Sequence, residues 1–137
     1  MEEGIKLHIH NVSKTYRSND NEIMAIDEID LRIRDKEFAT MLGPSGCGKT
    51  TILRLVGGFH KPDQGGIYFG DKEVSALAPY ERNIGMVFQN YALWPHMTVA
   101  NNIAYGLKLK KIATSEIVEK VSRALKLVNL TGLETRY

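Results

Sequence analysis

The sequence is poor in cysteine, because Cys47 is the single one among 137 residues. One thiol cannot form a disulfide within the chain, and such chains are typical of reducing compartments. The first residues, Met-Glu-Glu-Gly, lack the basic start and apolar core of a secretory signal. No apolar run approaches the roughly 18 to 20 residues that cross a bilayer. These absences predict a cytoplasmic chain that reaches a membrane only through a partner.

An excess of charge is also missing, since 18 basic residues stand against 16 acidic ones and the net charge is +2. Nucleic-acid-binding domains usually carry a pronounced basic patch. The longest basic cluster, at Lys108, Lys110 and Lys111, is typical of a solvated helix end. No nucleic-acid partner is therefore expected. With 43% hydrophobic and 25% charged residues, the chain has the composition of one modest globular domain.

Two segments near the N-terminus alternate apolar and polar residues. Ile5–Val12 places its isoleucines on one face and His8 and His10 on the other, and Ile26–Ile33 alternates in the same way. This pattern predicts an antiparallel sheet with one solvated face. Ser13–Glu22, polar and turn-rich, is predicted to end the first strand. The histidines show no metal-ligand spacing, and the first two are interpreted as part of the solvated face; the four are His8, His10, His60 and His96.

After residue 37 the alternation of apolar and polar residues gives way to short apolar runs. Phe38–Leu42 and Ile84–Phe88 are short apolar runs without alternation, which predicts strands covered on both faces. Thr50–Val56 is predicted to be a helix that Gly57 ends. The remaining predicted elements are two short strands around the Gly70-Asp71 turn, a helix from the N-cap Thr98 to about Leu107, and a last helix that begins near Thr114.

A glycine-rich segment joins the first apolar run to the first helix. It reads Gly43-Pro44-Ser45-Gly46-Cys47-Gly48-Lys49-Thr50 and matches the phosphate-loop pattern G-x-x-x-x-G-K-[ST] in full. Glycines let the backbone curl so that its N–H groups point at phosphate oxygens, and the positive end of the following helix favours an anion.

Each side chain of this loop has a predicted task. Lys49 supplies a charge for the β- and γ-phosphates, and the Thr50 hydroxyl can join the shell of a Mg²⁺ ion. Thr51 is placed to contact the α-phosphate. Cys47 is interpreted as a small residue that offers its backbone N–H, in preference to a redox role.

Many classes of protein carry a phosphate loop, so other segments must decide among them. Val12-Ser13-Lys14-Thr15-Tyr16 lies upstream of the loop, and Gly85–Val99 lies downstream. With these three stretches, the chain resembles the ATP-binding subunits of ABC transporters over essentially its whole length, and importers for small solutes in particular. The resemblance implies an α/β P-loop NTPase (ABC ATPase) core that is incomplete. It comprises an N-terminal antiparallel β-subdomain with the phosphate loop (about 1–95) and the start of a helical subdomain (about 96–137).

The resemblance also implies roles for individual residues. Tyr16 matches the aromatic that stacks on adenine, although alone it would be a tyrosine at a strand end. Gln89 matches the Q-loop glutamine, which reaches Mg²⁺ or the attacking water and acts with Lys49 in catalysis; alone it would be a polar strand end. Tyr91–Val99 corresponds to the segment that faces the membrane subunits. Its apolar patch could belong to the core, but an exposed groove for a partner is favoured; the patch is Tyr91, Leu93, Trp94, Pro95 and Met97.

The partners that the resemblance implies are transmembrane permease subunits, a second ATP-binding subunit in a head-to-tail dimer, and a solute-binding protein. The implied location is the cytoplasmic side of the cell membrane, with peripheral attachment. Import is favoured over export, and the solute is left open.

Three parts of the family pattern are missing from the 137 residues. No Leu-Ser-Gly-Gly-Gln segment, no apolar strand ending in Asp-Glu, and no switch histidine follows Gln89. We therefore expect the N-terminal part of a longer protein, with the strand Phe38–Leu42 lacking neighbours and no turnover by this chain alone. The alternative is a nucleotide-binding regulatory module or remnant that does not hydrolyse ATP. ABC ATPases of repair or translation, GTPases and small-molecule kinases fit less well around Tyr16 and Gln89.

Overall fold

A computed structural model of the chain describes residues 4–18 and 21–137. The chain divides into two compact units, one ending at Met86 and the other comprising Val87–Tyr137. Each unit has its own hydrophobic core. They are described separately below.

A four-stranded antiparallel sheet forms most of the first unit. Its strands are β1 (Ile5–Ser18), β2 (Asn21–Arg34), β3 (Gln64–Phe69) and β4 (Lys72–Glu73), in the spatial order β2-β1-β3-β4. The antiparallel sheet predicted from the alternating pattern is confirmed. The register between β1 and β2 shifts around Asn11, a non-glycine residue with a φ of 46°.

The predicted turn over Ser13–Glu22 is wrong. Both strands run on through this segment, with Thr15 opposite Met24 and Arg17 opposite Glu22. Strand pairing uses backbone groups, so a polar stretch can continue a ladder where side chains also pair across it. Here Arg17 Nε donates to Glu22 Oε1 at 2.9 Å. The centre of the predicted turn, residues 19 and 20, lies outside the described residues.

Helix α1 (Lys49–Val56) packs on one face of the sheet. The helix ends at Gly57, as predicted, and Leu55 is its fully buried residue. Because isoleucine and valine side chains alternate along the strands, the face opposite the helix is left to polar residues. The core of this unit consists of Ile9, Val12, Ile26, Leu55, Ile67 and Val74.

The strands predicted at Phe38–Leu42 and Ile84–Phe88 are wrong. Both segments lack regular secondary structure. Phe38 and Leu42 expose 91% and 92% of their surface, and Val87 exposes 89%. An apolar run becomes a buried strand only when neighbouring strands pair with both edges and other elements cover both faces. Within residues 4–18 and 21–137, no strand pairs with either segment, so both stay exposed.

The second unit is built on two helices, α2 (Val99–Leu109) and α3 (Thr114–Leu127). Thr98 is the N-cap of α2, as predicted, and its Oγ1 accepts a hydrogen bond from the Asn101 amide at 3.3 Å. The helices bury Ala104, Val121 and Leu125 between them. In the part of the chain that is described, no helix is both long and apolar enough to cross a membrane.

Candidate functional site: a phosphate loop

The phosphate loop leads from the exposed segment 37–42 directly into helix α1. Residues 43–47 are exposed, and Gly48 is the N-cap of the helix. Gly46 and Gly48 adopt φ angles of 85° and 93°, which L side chains rarely tolerate. The glycines at these two positions are therefore what allows the chain to curl into a loop before the helix begins.

Gly48 is also required for close packing. A Cβ atom there would lie 2.8 Å from Ile26 Cδ1 and 2.9 Å from the Ala25 carbonyl oxygen, both on β2. The base of the loop is thus pressed against the core of the sheet. This contact fixes where α1 starts relative to the strands.

Lys49 folds back over its own loop. Its Nζ donates to the carbonyl oxygens of Gly43 and Pro44, each at 2.7 Å, and lies 3.3 Å from Cys47 Sγ. No acidic residue occupies the first turn of α1. An ammonium charge and the positive end of an eight-residue helix therefore lie side by side with no carboxylate in the first turn, which is an anion-binding arrangement. Thr50 and Thr51 follow in the first turn of the same helix.

Arg82, which sequence reasoning missed, secures the far end of α1. Its side chain is buried, and Nη1 donates to the carbonyl oxygens of Leu55 at 2.8 Å and Val56 at 2.9 Å. Nε donates to Leu77 O and Nη2 to Ser75 O. Burial lowers the pKa of Arg82. Carbonyl oxygens at the end of a helix attract a cation, and these hydrogen bonds offset the cost of burying the guanidinium charge. No local sequence signal separates this arginine from an exposed one.

Tyr16 lies on β1 in the same unit, opposite Ile23 of β2. The ring is half-buried and meets the ring of His60 edge-on, with centroids 5.4 Å apart. Lys14 Nζ lies 5.9 Å from its centroid. Asp63 holds this part of the strand, because its carboxylate accepts hydrogen bonds from Lys14 Nζ and the Thr15 amide, each at 2.7 Å. The pKa of Asp63 is lowered, first by the Lys14 hydrogen bond and then by the Thr15 amide.

Gln89 belongs to the second unit, where it is exposed in a turn. The apolar patch that follows it is exposed, as predicted: Tyr91, Leu93 and Trp94 leave 75%, 68% and 45% of their surface open. Asn102 on α2 shapes this segment. Its Oδ1 accepts from the Trp94 amide at 2.9 Å. Its Nδ2 lies 3.1 Å from each of three carbonyl oxygens, those of Trp94, Met97 and Thr98.

A second group missed by sequence reasoning lies on the solvated face of the sheet. His8, His10 and Asp30 meet there, although no spacing along the chain joins them. Pairing of β1 with β2 brings them together, and the irregular register around Asn11 could not be predicted from the sequence.

Comparison with known proteins identifies the family of the chain. The profile of a family described as ABC transporter matches residues 26–137. The chain is 50% identical over 136 residues to the spermidine/putrescine import ATP-binding protein PotA of Acetivibrio thermocellus, covering 99% of this chain and 38% of that protein. It is 49% identical over 124 residues to PotA of Thermobifida fusca, covering 90% of this chain and 32% of that protein. It therefore spans well under half the length of these relatives.

Two solved structures of ATP-binding cassettes are also similar to this chain. A dimeric ATP-binding cassette in a post-hydrolysis state, bound to ADP and Pi, matches with a TM-score of 0.85 and 30% identity, over 95% of this chain and 60% of that one. A dimeric bacterial ABC transporter cassette matches with a TM-score of 0.81, 30% identity and the same coverage. The chain belongs to the ABC transporter family. The predicted α/β fold of a partial ABC ATPase core is confirmed, and so is the resemblance to importer ATP-binding subunits.

Proposed function

We propose that this chain binds Mg-ATP at the loop Gly43–Thr51, as the ATP-binding part of an ABC importer ATPase. The observation that carries the proposal is the position of the Lys49 ammonium, held by two loop carbonyls at 2.7 Å in front of a helix start without acidic residues. Such a group can exchange carbonyl oxygens for phosphate oxygens with little movement.

Each loop residue has a role in this proposal. Glycines at 43, 46 and 48 leave room for the triphosphate, and the backbone amides from Ser45 to Thr51 donate to its oxygens. Lys49 neutralises the β- and γ-phosphates. The Thr50 hydroxyl is a hard oxygen donor of the kind that Mg²⁺ prefers, and the ion would neutralise charge on the phosphates. The same role for the Gln89 amide oxygen rests on the family resemblance alone.

Binding of ATP to the purified chain, measured by calorimetry, tests the proposal. Lys49→Ala should weaken binding at least about tenfold, because a charge-assisted contact to phosphate is lost. Lys72→Ala is the matched control, since Lys72 is an exposed lysine on β4 of the same unit. Equal affinity of the two variants would refute the proposal.

For Tyr16 we propose that the ring stacks on adenine. A flat aromatic face is a sequence-tolerant platform for a base. Tyr16→Ala should then weaken ATP binding and leave binding of inorganic triphosphate unchanged, while Tyr16→Phe should keep both. If Tyr16→Ala weakens both ligands equally, the residue supports only the strand. Tyr80→Ala, at an exposed tyrosine of the same unit, controls for general effects.

The partners proposed for the whole protein follow from the family. The exposed patch around Trp94 is an apolar surface of the kind that partners cover, and we assign it to a helix of a transmembrane permease subunit. A second ATP-binding subunit would complete a head-to-tail dimer, with a solute-binding protein supplying the solute. We therefore propose a peripheral location at the cytoplasmic side of the membrane. Spermidine and putrescine are the solutes to test first, since the two relatives are named for them.

The domain assignment belongs to the same proposal. Residues 1–95 would form the β-subdomain with the phosphate loop, and residues 96–137 the start of the helical subdomain. The alternative function is nucleotide binding without hydrolysis, because no strand ending in Asp-Glu and no Leu-Ser-Gly-Gly-Gln segment follows Gln89 among the 137 residues. These groups would position the attacking water and Mg²⁺ in an ATPase.

A further inference from the structure

We propose that His8, His10 and Asp30 form a binding site for a first-row transition metal ion, with Zn²⁺ as the preferred ion. The site lies on the solvated face of the sheet and is independent of the phosphate loop. Three potential ligand atoms, one from each residue, lie within 4.8 Å of one another.

The backbone presents these side chains together. His8 and His10 are two residues apart on β1, so both point to the same face. His8 pairs with Arg32 of β2, which places Asp30 diagonally from it, beside the strand irregularity at Asn11. His10 Nδ1 is 2.9 Å from Asp30 Oδ2, and His8 Nε2 is 3.4 Å from Asp30 Oδ1. Paired strands hold all three residues, so binding requires side-chain adjustment only.

The distances suit a tetrahedral ion. Zn²⁺ binds histidine nitrogen and carboxylate oxygen at about 2.0 to 2.2 Å, which separates neighbouring ligand atoms by about 3.3 Å. His8 Nε2 and His10 Nδ1 lie 3.4 and 2.9 Å from different oxygens of Asp30, so a small turn of the carboxylate is needed to offer one oxygen to an ion between the histidines. Two imidazoles and one carboxylate favour Zn²⁺, Ni²⁺ or Cu²⁺ over Mg²⁺, which prefers oxygen ligands. The site is therefore chemically distinct from any Mg²⁺ site at the nucleotide.

The surroundings leave room for the ion and its water ligands. A surface cavity of about 440 Å³ is lined by both histidines together with Tyr68, Arg32 and Asp71. Tyr68 borders the site on the β3 side, with its ring centroid 6.0 Å from that of His8. Asp71 adds a second carboxylate to the same cavity. A partly open site with three protein ligands leaves a fourth position for water.

The positive charge of Arg32 lies next to the proposed ligand atoms and should weaken metal binding. Its Nε lies 3.4 Å from His8 Nε2 and 3.7 Å from Asp30 Oδ1. It therefore occupies the lone pair of His8 and adds a positive charge next to the carboxylate. The half-exposed Arg32 side chain must swing away when the metal binds. Arg32→Gln should consequently bind the ion more tightly than the natural chain does.

Titration of the untagged, metal-free chain with Co²⁺, followed by its visible absorption and by Zn²⁺ competition, tests the site. We expect uptake of one equivalent and displacement by Zn²⁺. His8→Ala, His10→Ala and Asp30→Asn should each weaken binding roughly tenfold or more, since even residues that only orient metal ligands change affinity by that much. Zn²⁺ should also raise the melting temperature of the natural chain and not of His10→Ala.

Three further variants separate this site from other ligands of the chain. His96→Ala and Cys47→Ser, which alter a histidine and the thiol elsewhere, should leave uptake unchanged. Lys49→Ala should lose ATP affinity and still bind the metal ion. Failure of the metal-site proposal can therefore be told apart from failure of the ATP-binding proposal. Absence of stoichiometric uptake, full uptake by His10→Ala, or loss of uptake in Cys47→Ser would each overturn the site.

Discussion

Arg82 caps the phosphate-loop helix through Leu55: its Nη1 donates to the Leu55 carbonyl oxygen at 2.8 Å, and both residues are buried. Gly58 makes room for this contact, because its φ is +79° and a Cβ atom there would lie 2.5 Å from Arg82 Nε. The side chain of Arg82 thus reinforces the far end of the helix that starts at the phosphate loop, beside the backbone caps from Gly57 and Gly58.

Arg82→Ala should lower the free energy of unfolding by about 3 kcal/mol, because the carbonyl oxygens of Val56, Ser75 and Leu77 lose the Arg82 donors while that of Leu55 keeps only the Gly58 amide. Urea unfolding followed by circular dichroism measures the loss. Arg54→Ala, at an exposed arginine in the last turn of the same helix, should change stability by less than about 0.5 kcal/mol. Equal losses for the two variants would show that Arg82 does not anchor the helix.

Gly48→Ala should abolish nucleotide binding and destabilise the chain more than Gly70→Ala. Both glycines have positive φ angles, 93° and 58°, and alanine at such angles costs roughly 1 to 2 kcal/mol. Only Gly48 also has backbone and core atoms within 3 Å of the added Cβ, whereas Gly70 has nothing within 4 Å. Stability and ATP affinity are measured for both variants. Gly70→Ala reports the cost of the positive φ angle alone, and Gly48→Ala adds the steric clash with β2. Equal effects of the two substitutions would contradict this placement of the loop.

Acid should weaken the first unit partly through Asp63. The pKa of Asp63 is lowered in the folded chain, first by the Lys14 hydrogen bond. The unfolded chain takes up the proton more readily, so this contribution is present above the ordinary aspartate pKa of about 3.9 and is lost as pH falls through the lowered pKa.

The matching experiment compares urea midpoints of the natural chain and Asp63→Asn between pH 6 and pH 2.5. The variant should be less stable at pH 6 and show a smaller loss in acid, while Asp71→Asn, at an exposed aspartate, should follow the natural chain. An identical acid dependence of all three proteins would mean that the ion pair with Lys14 contributes nothing.

The 137-residue chain should bind ATP and release no phosphate above background. Its residues include the phosphate loop, but no apolar strand that ends in Asp-Glu follows Gln89 within them, and these carboxylates would hold the ion and polarise water. Phosphate release is compared with that of Lys49→Ala. Turnover that the substitution abolishes would show that the residues present suffice for hydrolysis.

The sequence predicts this fold well where periodicity is strong. The alternation around Ile9 and Ile29 predicts the antiparallel strands, and Thr98 predicts the start of α2, because these signals act between neighbouring residues. The apolar run at Phe38 predicts a strand that does not form, since a buried strand depends on partners that lie far away in the sequence.

The same distinction applies to the site. The phosphate loop can be recognised because its glycines, Lys49 and Thr50 are contiguous. Arg82 and the pair of His10 with Asp30 cannot, since burial and strand register bring them into place. Local chemistry is readable in a sequence, whereas positions that depend on irregular pairing require the structure.

The exposed segment before the phosphate loop has a further consequence. Helix α1 is fixed on the C-terminal side of the loop, by Gly48 against β2 and by Arg82 at the helix end. On the N-terminal side, Phe38 and Leu42 stand in solvent, and no described strand pairs with them. The N-terminal end of the loop is held through Lys49, which donates to the Gly43 and Pro44 carbonyl oxygens, and not by strand pairing. A triphosphate that takes over Lys49 would therefore also have to order that end. Any strand added beside Phe38–Leu42 would meet that entropic cost beforehand and raise nucleotide affinity without touching the nucleotide.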